Sequence, residues 1–219
     1  MEHKTKRNPI FHIFYSIVRR LVRLFYPNIK LLGAENIPDE PCLLVSNHAQ
    51  MNGPIIGDLY IPGKRSIWCA GEMMHLKKVP SYAYRDFWGS KPKGLRCFYK
   101  LLSYVIAPIA VGIFNQPHII GAYRDSHILT TFRQTVNALA DGANVVVFPE
   151  HDQPHNHIVN QFQEGFVDIA RLYKRRTGTP LQFVPMYVAP SLKSVCFGPP
   201  SPFVPTIPRS KNASASATT

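Results

Sequence analysis

The segment CLLVSNHAQMNGP, residues 42–54, joins a short apolar run to a histidine and then to a Gly-Pro turn. An apolar run of this length, bounded by turn residues, is typical of a strand buried on both faces of a sheet. His48 then follows the carboxyl end of that strand, where functional residues collect in open α/β sheets. The first acidic residue after His48 is Asp58, ten positions on. The segment therefore predicts a buried strand that delivers a histidine with no carboxylate near it in sequence.

The same kind of apolar run recurs along the chain and determines the expected fold. Further strands are predicted at 29–32, 66–70, 118–123, 144–149, 181–188 and 194–198. Between them, apolar residues at helical spacing predict a helix over 128–139, closed by Gly142, and another over 166–173, closed by Gly178. Strands that alternate with helices in this way predict a single α/β domain with a mixed, mostly buried sheet flanked by helices.

An amphipathic helix is predicted over residues 9–26, because Asn8-Pro9 is a typical helix start and apolar residues then recur at helical spacing. The opposite stripe contains His12, Ser16, Arg20 and Arg23. A wide apolar face backed by arginines favours a helix in a membrane interface, the alternative being a helix packed on the domain's own core. We therefore expect a membrane-contacting segment over 1–28, the α/β domain over 29–205 and a disordered tail over 206–219.

The chain of 219 residues has a net charge of +12, from 25 lysines and arginines against 13 acidic residues. Such an excess attracts anionic lipid headgroups, phosphorylated substrates or nucleic acid. No nucleic-acid-binding motif is present and the arginines lie largely on the predicted N-terminal helix, so a nucleic-acid partner is not expected. Four scattered cysteines without a Cys-x-x-Cys pair favour a reducing compartment. The expected location is the cytoplasmic face of a membrane, with an anionic membrane surface as partner.

Four short motifs follow one another along the chain. They are N-H-A-Q-M-N-G-P from Asn47, I-I-G-A-Y-R ending at Arg124, V-V-F-P-E ending at Glu150 with F-Q-E-G-F downstream, and F-V-P-M from Phe183. In this order and spacing they resemble the motifs of the glycerolipid acyltransferase family, which includes the 1-acylglycerol-3-phosphate acyltransferases. The resemblance runs from about Lys30 to Pro190, and C-A-G-E-M at 69–73 adds to it.

This resemblance implies an O-acyltransferase of phospholipid biosynthesis. The acyl donor would be acyl-CoA or acyl carrier protein, and the acceptor a hydroxyl of a glycerol-phosphate or lysophospholipid, with no metal and no cofactor besides the thioester donor. His48 matches the catalytic base, a task for which neutral imidazole is suited. By the same resemblance, Gly121, Arg124, Pro149 and Glu150 belong to substrate-binding motifs, and an arginine offers a bidentate fork to a phosphate.

The first motif departs from the family pattern, because Gly53 stands where the family has an aspartate. The neighbouring Asn52 can accept a hydrogen bond from an imidazole N–H and fix a tautomer, but it cannot stabilise imidazolium by charge. Asp58 is too far away, since ten helical residues rise ~15 Å. The stretch E-H-D-Q-P-H-N-H that begins at Glu150 contains a candidate replacement. The candidate catalytic residues are therefore His48, Asn52 and Asp152, with Glu150 as a second possible acid.

Other interpretations of these departures stay open. The bland interpretation of the stretch 150–157 is a plain polar loop, and a further alternative is that its histidines and carboxylates converge on a metal. The alternative to an enzyme is a non-catalytic lipid-binding protein of the same fold that has lost its catalytic dyad.

The most hydrophobic segment of the chain is FYKLLSYVIAPIAVGIF, residues 98–114. Lys100 is its only charged residue, and Pro108 interrupts it. It predicts a buried helical hairpin, or else a membrane-dipping segment or the wall of an acyl-chain channel.

Overall fold

The computed structural model describes residues 9–49, 51–89, 92–123, 127–154, 160–162 and 164–202 of the chain. The α-helices in these residues are α1 (Pro9–Phe25), α2 (Asn52–Tyr60), α3 (Val79–Trp88), α4 (Arg96–Phe114), α5 (Ile128–Ala140) and α6 (Asp168–Thr177). The strands are β1 (Lys30–Leu32), β2 (Cys42–Ser46), β3 (Arg65–Ala70), β4 (Ile119–Ala122), β5 (Asn144–Val147), β6 (Glu150–Pro154), β7 (Asn160–Phe162), β8 (Gln182–Ala189), β9 (Ser194–Phe197) and β10 (Ser201–Pro202). The predicted tail over 206–219 lies outside the described residues.

Parallel strands form the centre of one mixed sheet, whose order is β1-β9-β8-β2-β5-β3-β4. Strands β8, β2, β5, β3 and β4 pair in parallel. Strand β9 runs antiparallel to β8 and pairs with β1 at the edge, while β10 adds a short antiparallel pair to β8. Strands β6 and β7 pair with each other outside this sheet. The predicted α/β domain with a mixed sheet flanked by helices is confirmed.

Strand β2 is buried on both faces, as its continuous apolar sequence predicts. Cys42 and Leu44 belong to one core cluster, which they share with Ile56 of α2. Leu43 belongs to the other, which it shares with Phe132 of α5 and with side chains of α6. Because successive strand residues point to opposite faces, CLLVS contributes to both layers at once.

The predicted strands are found within two residues of their expected bounds, and the differences lie elsewhere. One interpretation of the residues after Pro149 is a plain polar loop. This interpretation is wrong for residues 150–154, which form β6 by pairing with β7. Helix α2 was not predicted, since Gly53, Pro54 and Gly57 make its sequence a poor helix former on its own. Both elements depend on partners that are not neighbours in sequence.

The expected hairpin over 98–114 is also wrong, because these residues belong to the single helix α4, with Pro108 inside it. Only one side of this helix is buried. Ser103, Ala107 and Ala110 are covered by the protein, and the two alanines pack with Met73 and Val79. Helix α4 is therefore attached lengthwise to the domain rather than enclosed by it.

Helix α1 is docked through a polar contact centred on Asp58. The Tyr15 hydroxyl donates to Asp58 Oδ2 at 2.7 Å and lies 2.8 Å from His118 Nε2. Arg19 Nε donates to the same carboxylate oxygen at 3.2 Å. Arg65 of β3 pairs with the other carboxylate oxygen at 3.6 Å. The acid that follows His48 in sequence thus binds the N-terminal helix.

Burial on its own raises the pKa of the Asp58 carboxyl, but hydrogen bonds from His118 and Tyr15 and the charges of His118 and Arg19 outweigh it. The pKa of Asp58 therefore lies below its ordinary value of 3.8. For Tyr15, burial first and the bond to Asp58 second raise the pKa of the phenol. Tyr15 consequently stays a donor and Asp58 an acceptor across the neutral range.

Replacing Asp58 by Asn should lower the free energy of unfolding by about 2–3 kcal/mol, because it removes a mostly buried charge that several donors share. Urea denaturation at pH 7 measures this, with the exposed Asp39→Asn as matched control.

The contribution of Asp58 to the free energy of unfolding depends on pH with a definite sign. The folded pKa of Asp58 is depressed, so its contribution to stability is complete above the ordinary value of 3.8 and is lost as the pH falls through the lower folded pKa. The stability difference between wild type and Asp58→Asn should therefore shrink below about pH 3.8. A variant as stable as the wild type at pH 7 would show that Asp58 does not hold α1.

Candidate active site

The carboxyl ends of the central parallel strands meet at one edge of the sheet. Strand β2 leads there into Asn47 and His48, and β5 leads into Phe148, Pro149 and Glu150. This edge is where binding and catalytic groups collect in open α/β sheets. The register of β2 and β5 brings together two of the motifs that the sequence analysis selected.

Four hydrogen bonds fix the main chain around His48. Its backbone N–H donates to Glu150 Oε2 at 2.7 Å, and its carbonyl accepts from the Gly53 N–H at 3.0 Å. Asn47 Oδ1 accepts from the Val188 N–H at 2.7 Å, and Asn47 Nδ2 donates to the Val188 carbonyl at 3.0 Å. The loop that carries His48 is thereby tied to β8, to β6 and to the start of α2.

The His48 side chain is exposed at this edge. Its ring meets the Phe148 ring edge-on, with centroids 5.2 Å apart and an interplanar angle of 72°. The Glu150 carboxylate is held by the backbone amide of His48, so a negative charge is fixed on the loop that carries the imidazole. A fixed negative charge can stabilise a base that becomes positive when it accepts a proton. An exposed imidazole has the chemistry of a general base.

Asn52 has other partners in the structure than the imidazole for which it was considered. Its Oδ1 accepts from the Tyr26 hydroxyl at 2.5 Å, and its Nδ2 donates to the Ala49 carbonyl at 3.1 Å. Burial raises the pKa of the Tyr26 phenol, so this hydroxyl stays a donor. Asn52 thus ties the start of α2 to the segment after α1, and a role in orienting the His48 ring stays a prediction.

Gly53 occupies a position with no room for a side chain. A Cβ added there would lie 2.5 Å from the His48 carbonyl oxygen, 2.8 Å from Phe148 Cε1 and 3.1 Å from the Asn47 carbonyl oxygen. Two of these three atoms belong to the backbone, which cannot yield as a flexible side chain does. The packing of the His48 loop against α2 therefore opposes a side chain at this position.

Gly121 and Pro149, both predicted to belong to substrate-binding motifs, are buried. Gly121 lies in β4, where an added Cβ would come within 2.8 Å of Met74 Sδ and 3.0 Å of the Tyr123 ring. Its missing side chain lets Tyr123 lie against the sheet, where the Tyr123 hydroxyl bonds His75 Nε2 at 3.0 Å. A binding role for Gly121 and Pro149 stays a prediction.

Two of the predicted site residues are not placed by the structure. Arg124 lies outside the described residues, as do His155 and His157 of the polar stretch. Asp152 belongs to β6 by its backbone, but its side chain is not among those described. Among the residues that the structure describes, no group of three or more His, Cys, Asp or Glu side chains is arranged to hold a metal ion.

An apolar groove with a volume of about 620 Å³ borders on Asn47 and Glu150. This volume lies in the range of small-molecule sites. The lining residues come from β2, β8, β9 and their ends, and from the start of β6: Val45, Asn47, Glu150, Phe183, Pro185, Met186, Tyr187, Cys196, Phe197 and Gly198. The groove therefore joins an apolar surface to Glu150, which accepts from the His48 amide, and to Asn47, which ties the His48 loop to β8.

Sequence analysis missed this groove and the role of Asn47. The groove depends on cross-strand neighbours, such as Tyr187 opposite Cys196, which no local pattern shows. The sequence did contain a signal for Asn47, because an amide side chain directly after a buried strand can bond the backbone of the neighbouring strand in the sheet. Tyr26 had no comparable signal.

No family model matches the chain, and no curated protein matches it. Among solved structures, the chain is similar to the 1-acyl-sn-glycerophosphate (LPA) acyltransferase PlsC from Thermotoga maritima. The identity is 14%, the alignment covers 88% of this chain and 69% of that chain, and the TM-score is 0.43.

Replacing Gly53 by Ala should lower the free energy of unfolding by about 1–3 kcal/mol, the usual cost of overpacking. The physical reason is the close approach of the new Cβ to the His48 carbonyl oxygen. Gly94→Ala is the matched control, because a Cβ there meets nothing within 4 Å. Urea denaturation compares the three proteins. Equal stability of Gly53→Ala and the control would mean that this position has room for a Cβ after all.

Proposed function

We propose that the protein is an acyltransferase that moves a fatty acyl group from acyl-CoA or acyl carrier protein to a hydroxyl of a glycerol-phosphate or lysophospholipid. The observation that supports this most is the exposed His48, held by the Glu150 carboxylate beside an apolar groove. The four motifs of the sequence support the same class of reaction.

In the proposed reaction, His48 takes the proton of the acceptor hydroxyl while the hydroxyl oxygen attacks the thioester carbonyl carbon. The tetrahedral intermediate then expels the thiolate, which receives the proton from the imidazolium. One ester bond forms, one thioester bond breaks, and the base is regenerated. A neutral imidazole is suited to both transfers near pH 7. The negative charge of Glu150 or Asp152 stabilises the intermediate imidazolium, which an amide cannot do.

The apolar groove is the proposed site for the fatty acyl chain. Its wall consists mainly of aliphatic and aromatic side chains. It also includes Glu150, which accepts from the His48 amide, and Asn47, which ties the same loop to β8. An acyl chain lying there would bring its carbonyl towards His48. In this proposal Arg124 binds the acceptor phosphate, as the resemblance of its motif implies.

The alternative is a lipid-binding protein of the same fold without turnover. The observation that favours it is the closed position of Gly53, which leaves His48 without the acid that usually follows it in the motif. We favour the enzyme, because the Glu150 carboxylate reaches the same loop from another strand.

The protein is also proposed to act at the cytoplasmic face of an anionic membrane, through α1. The side of α1 opposite Tyr15 is uncovered, with Ile13 60% and Leu24 74% exposed. Exposed Arg20 and Arg23 lie beside this apolar face. Tyr15 of α1 packs on the domain, but Ile13 and Leu24 do not, and this uncovered side supports the proposed lipid contact.

The first test is the transfer of a radiolabelled acyl group from acyl-CoA to a panel of lysolipids and glycerol 3-phosphate. His48→Ala should reduce transfer at least ~1000-fold, because the base is lost. Glu150→Gln or Asp152→Asn should cost far more than Asn52→Ala, since only the acids provide charge. Glu150→Gln keeps an oxygen that accepts from the His48 amide, so it isolates the charge from the hydrogen bond.

The exposed His75→Ala is the matched histidine control and should keep near-wild-type transfer. If Asn52→Ala is more damaging than either acid variant, the amide orients the ring and the acids are not partners. If the wild type binds lysolipid but transfers no acyl group from either donor, the non-catalytic alternative is correct.

Exposed apolar residues of α1 should determine vesicle binding. The double variant Ile17→Ser, Leu24→Ser should bind anionic vesicles at least ~10-fold more weakly, because two apolar contacts with lipid are lost. Binding should also weaken with salt, since each arginine near an anionic surface contributes about 1 kcal/mol. Co-sedimentation measures both, with the exposed Leu192→Ser as control. Unchanged binding by the double variant would exclude α1 as the lipid contact.

Deleting α1 is a poorer test of lipid binding than these substitutions, because the deletion also removes Tyr15 and Arg19 from Asp58.

A further inference from the structure

Helix α4 exposes a continuous apolar stripe. Phe98, Leu101, Tyr104, Val105, Pro108 and Ile109, called here the α4 stripe, recur at spacings of three and four residues and therefore share one face of the helix. All six side chains are exposed, with Leu101 65% and Tyr104 60% accessible. A soluble surface rarely leaves such a contiguous set of large apolar side chains uncovered, so the stripe marks a contact surface.

The other side of α4 is committed to the domain. Ser103, Ala107 and Ala110 are buried, and their small side chains let the helix approach its neighbours closely. Ala107 and Ala110 pack with Met73 and with Val79, the first residue of α3. The α4 stripe therefore cannot turn inward without breaking this packing.

Helix α4 is joined to α1 near its carboxyl end. The Phe11 ring takes the space that a Cβ on Gly112 would need, and Gln116 Nε2 donates to the Phe11 carbonyl at 3.4 Å. His12 Nδ1 lies 3.3 Å from Gln116 Oε1. Helices α1 and α4, each of which has an uncovered apolar face, are thus in direct contact.

The charged residues of α4 itself are both basic. Arg96 and Lys100, in the first turns, are the charged residues of α4, and neither α4 nor α1 contains an acidic residue. Both side chains are exposed. A cationic border beside an apolar stripe complements anionic headgroups above acyl chains.

We propose that the α4 stripe enters the boundary between headgroups and acyl chains of an anionic bilayer, as a second lipid contact in addition to α1. Among the described residues, α4 is the helix that is long and apolar enough to cross a membrane by length and composition alone. Its packing with α3 favours a helix that lies in the interface, because crossing would strip Ala107 and Ala110 from the domain. This inference goes beyond acyl transfer and holds whether or not the protein turns over substrate.

Cys97, exposed next to the stripe, provides a probe in the full chain. The variant Cys196→Ser leaves Cys97 as the exposed thiol, because burial raises the pKa of the Cys42 and Cys69 thiols to about 12 and makes them poor nucleophiles. An environment-sensitive fluorophore on Cys97 should shift to shorter wavelength with vesicles of phosphatidylcholine and phosphatidylglycerol. Brominated acyl chains should quench it.

The matched control places the same fluorophore at position 129, by Leu129→Cys in a Cys97→Ser, Cys196→Ser background. Leu129 of α5 is 71% exposed and lies outside α1 and α4. Its label should stay in water and escape quenching by brominated lipid. Equal quenching at both positions, or none at position 97, would overturn the proposal.

A second measurement uses unlabelled protein. Leu101→Ser with Val105→Ser should weaken vesicle partitioning at least ~10-fold, and Leu129→Ser should leave it unchanged. Sedimentation without lipid should show a monomer. A dimer in which Cys97 is shielded would overturn the proposal, because a second copy of the chain would then cover the α4 stripe. Resistance to extraction at alkaline pH would overturn the interfacial placement in favour of a crossing helix. If the wild-type protein binds vesicles but transfers no acyl group, the proposed enzyme activity is contradicted and the proposed lipid contact of α4 is not.

Discussion

The parallel pairing of β2 with β5 on one side and β8 on the other is the constraint on which the site depends. Leu43 stands opposite Val145 and Val45 opposite Val147, so β2 and β5 end together at one edge of the sheet. Because β2 is buried on both faces, a slip by one residue would place each side chain in the wrong core. With this register, His48 and Glu150, 102 residues apart in sequence, come within a 2.7 Å hydrogen bond.

The sequence predicted the fold well where one strand or helix carries its own pattern. CLLVS matches β2 residue for residue, and Gly178 ends α6 with a left-handed φ of 80°, as a helix-closing glycine does. Prediction failed where structure depends on distant partners. Strand β6 forms only by pairing with β7. The exposed side of α4 is determined by the side on which α3 packs. A hydrophobic pattern alone does not distinguish an enclosed helix from one with an uncovered face.

For the site, the sequence identified His48 and Glu150 as candidates, but not the contact that joins them. It could not show that the Glu150 carboxylate binds the His48 amide, since this depends on the register of two strands. It identified Gly53 as a departure from the motif but not the tight packing there, with the His48 carbonyl oxygen 2.5 Å from any added Cβ. It rejected Asp58 as a partner of His48 on distance, and the structure shows that this carboxylate serves α1 instead.

Helix α2 links the N-terminal helix to the His48 loop. Its first residue, Asn52, accepts from Tyr26 just after α1, and Asp58 near its end accepts from Tyr15 within α1. The Gly53 N–H of the same helix donates to the His48 carbonyl. One short helix thus separates the proposed lipid contact in α1 from the proposed base.

The central claim is that His48 and an acid from another strand transfer an acyl group to an alcohol. The most direct measurement follows thiol release from acyl-CoA, or from acyl carrier protein, by the vesicle-bound wild-type protein with and without lysophosphatidate. The account predicts that thiol release requires the acceptor and equals, mole for mole, the new ester formed. Thiol release that is the same without acceptor would indicate a thioesterase. No release from either donor by protein that still binds the acceptor would contradict the claim.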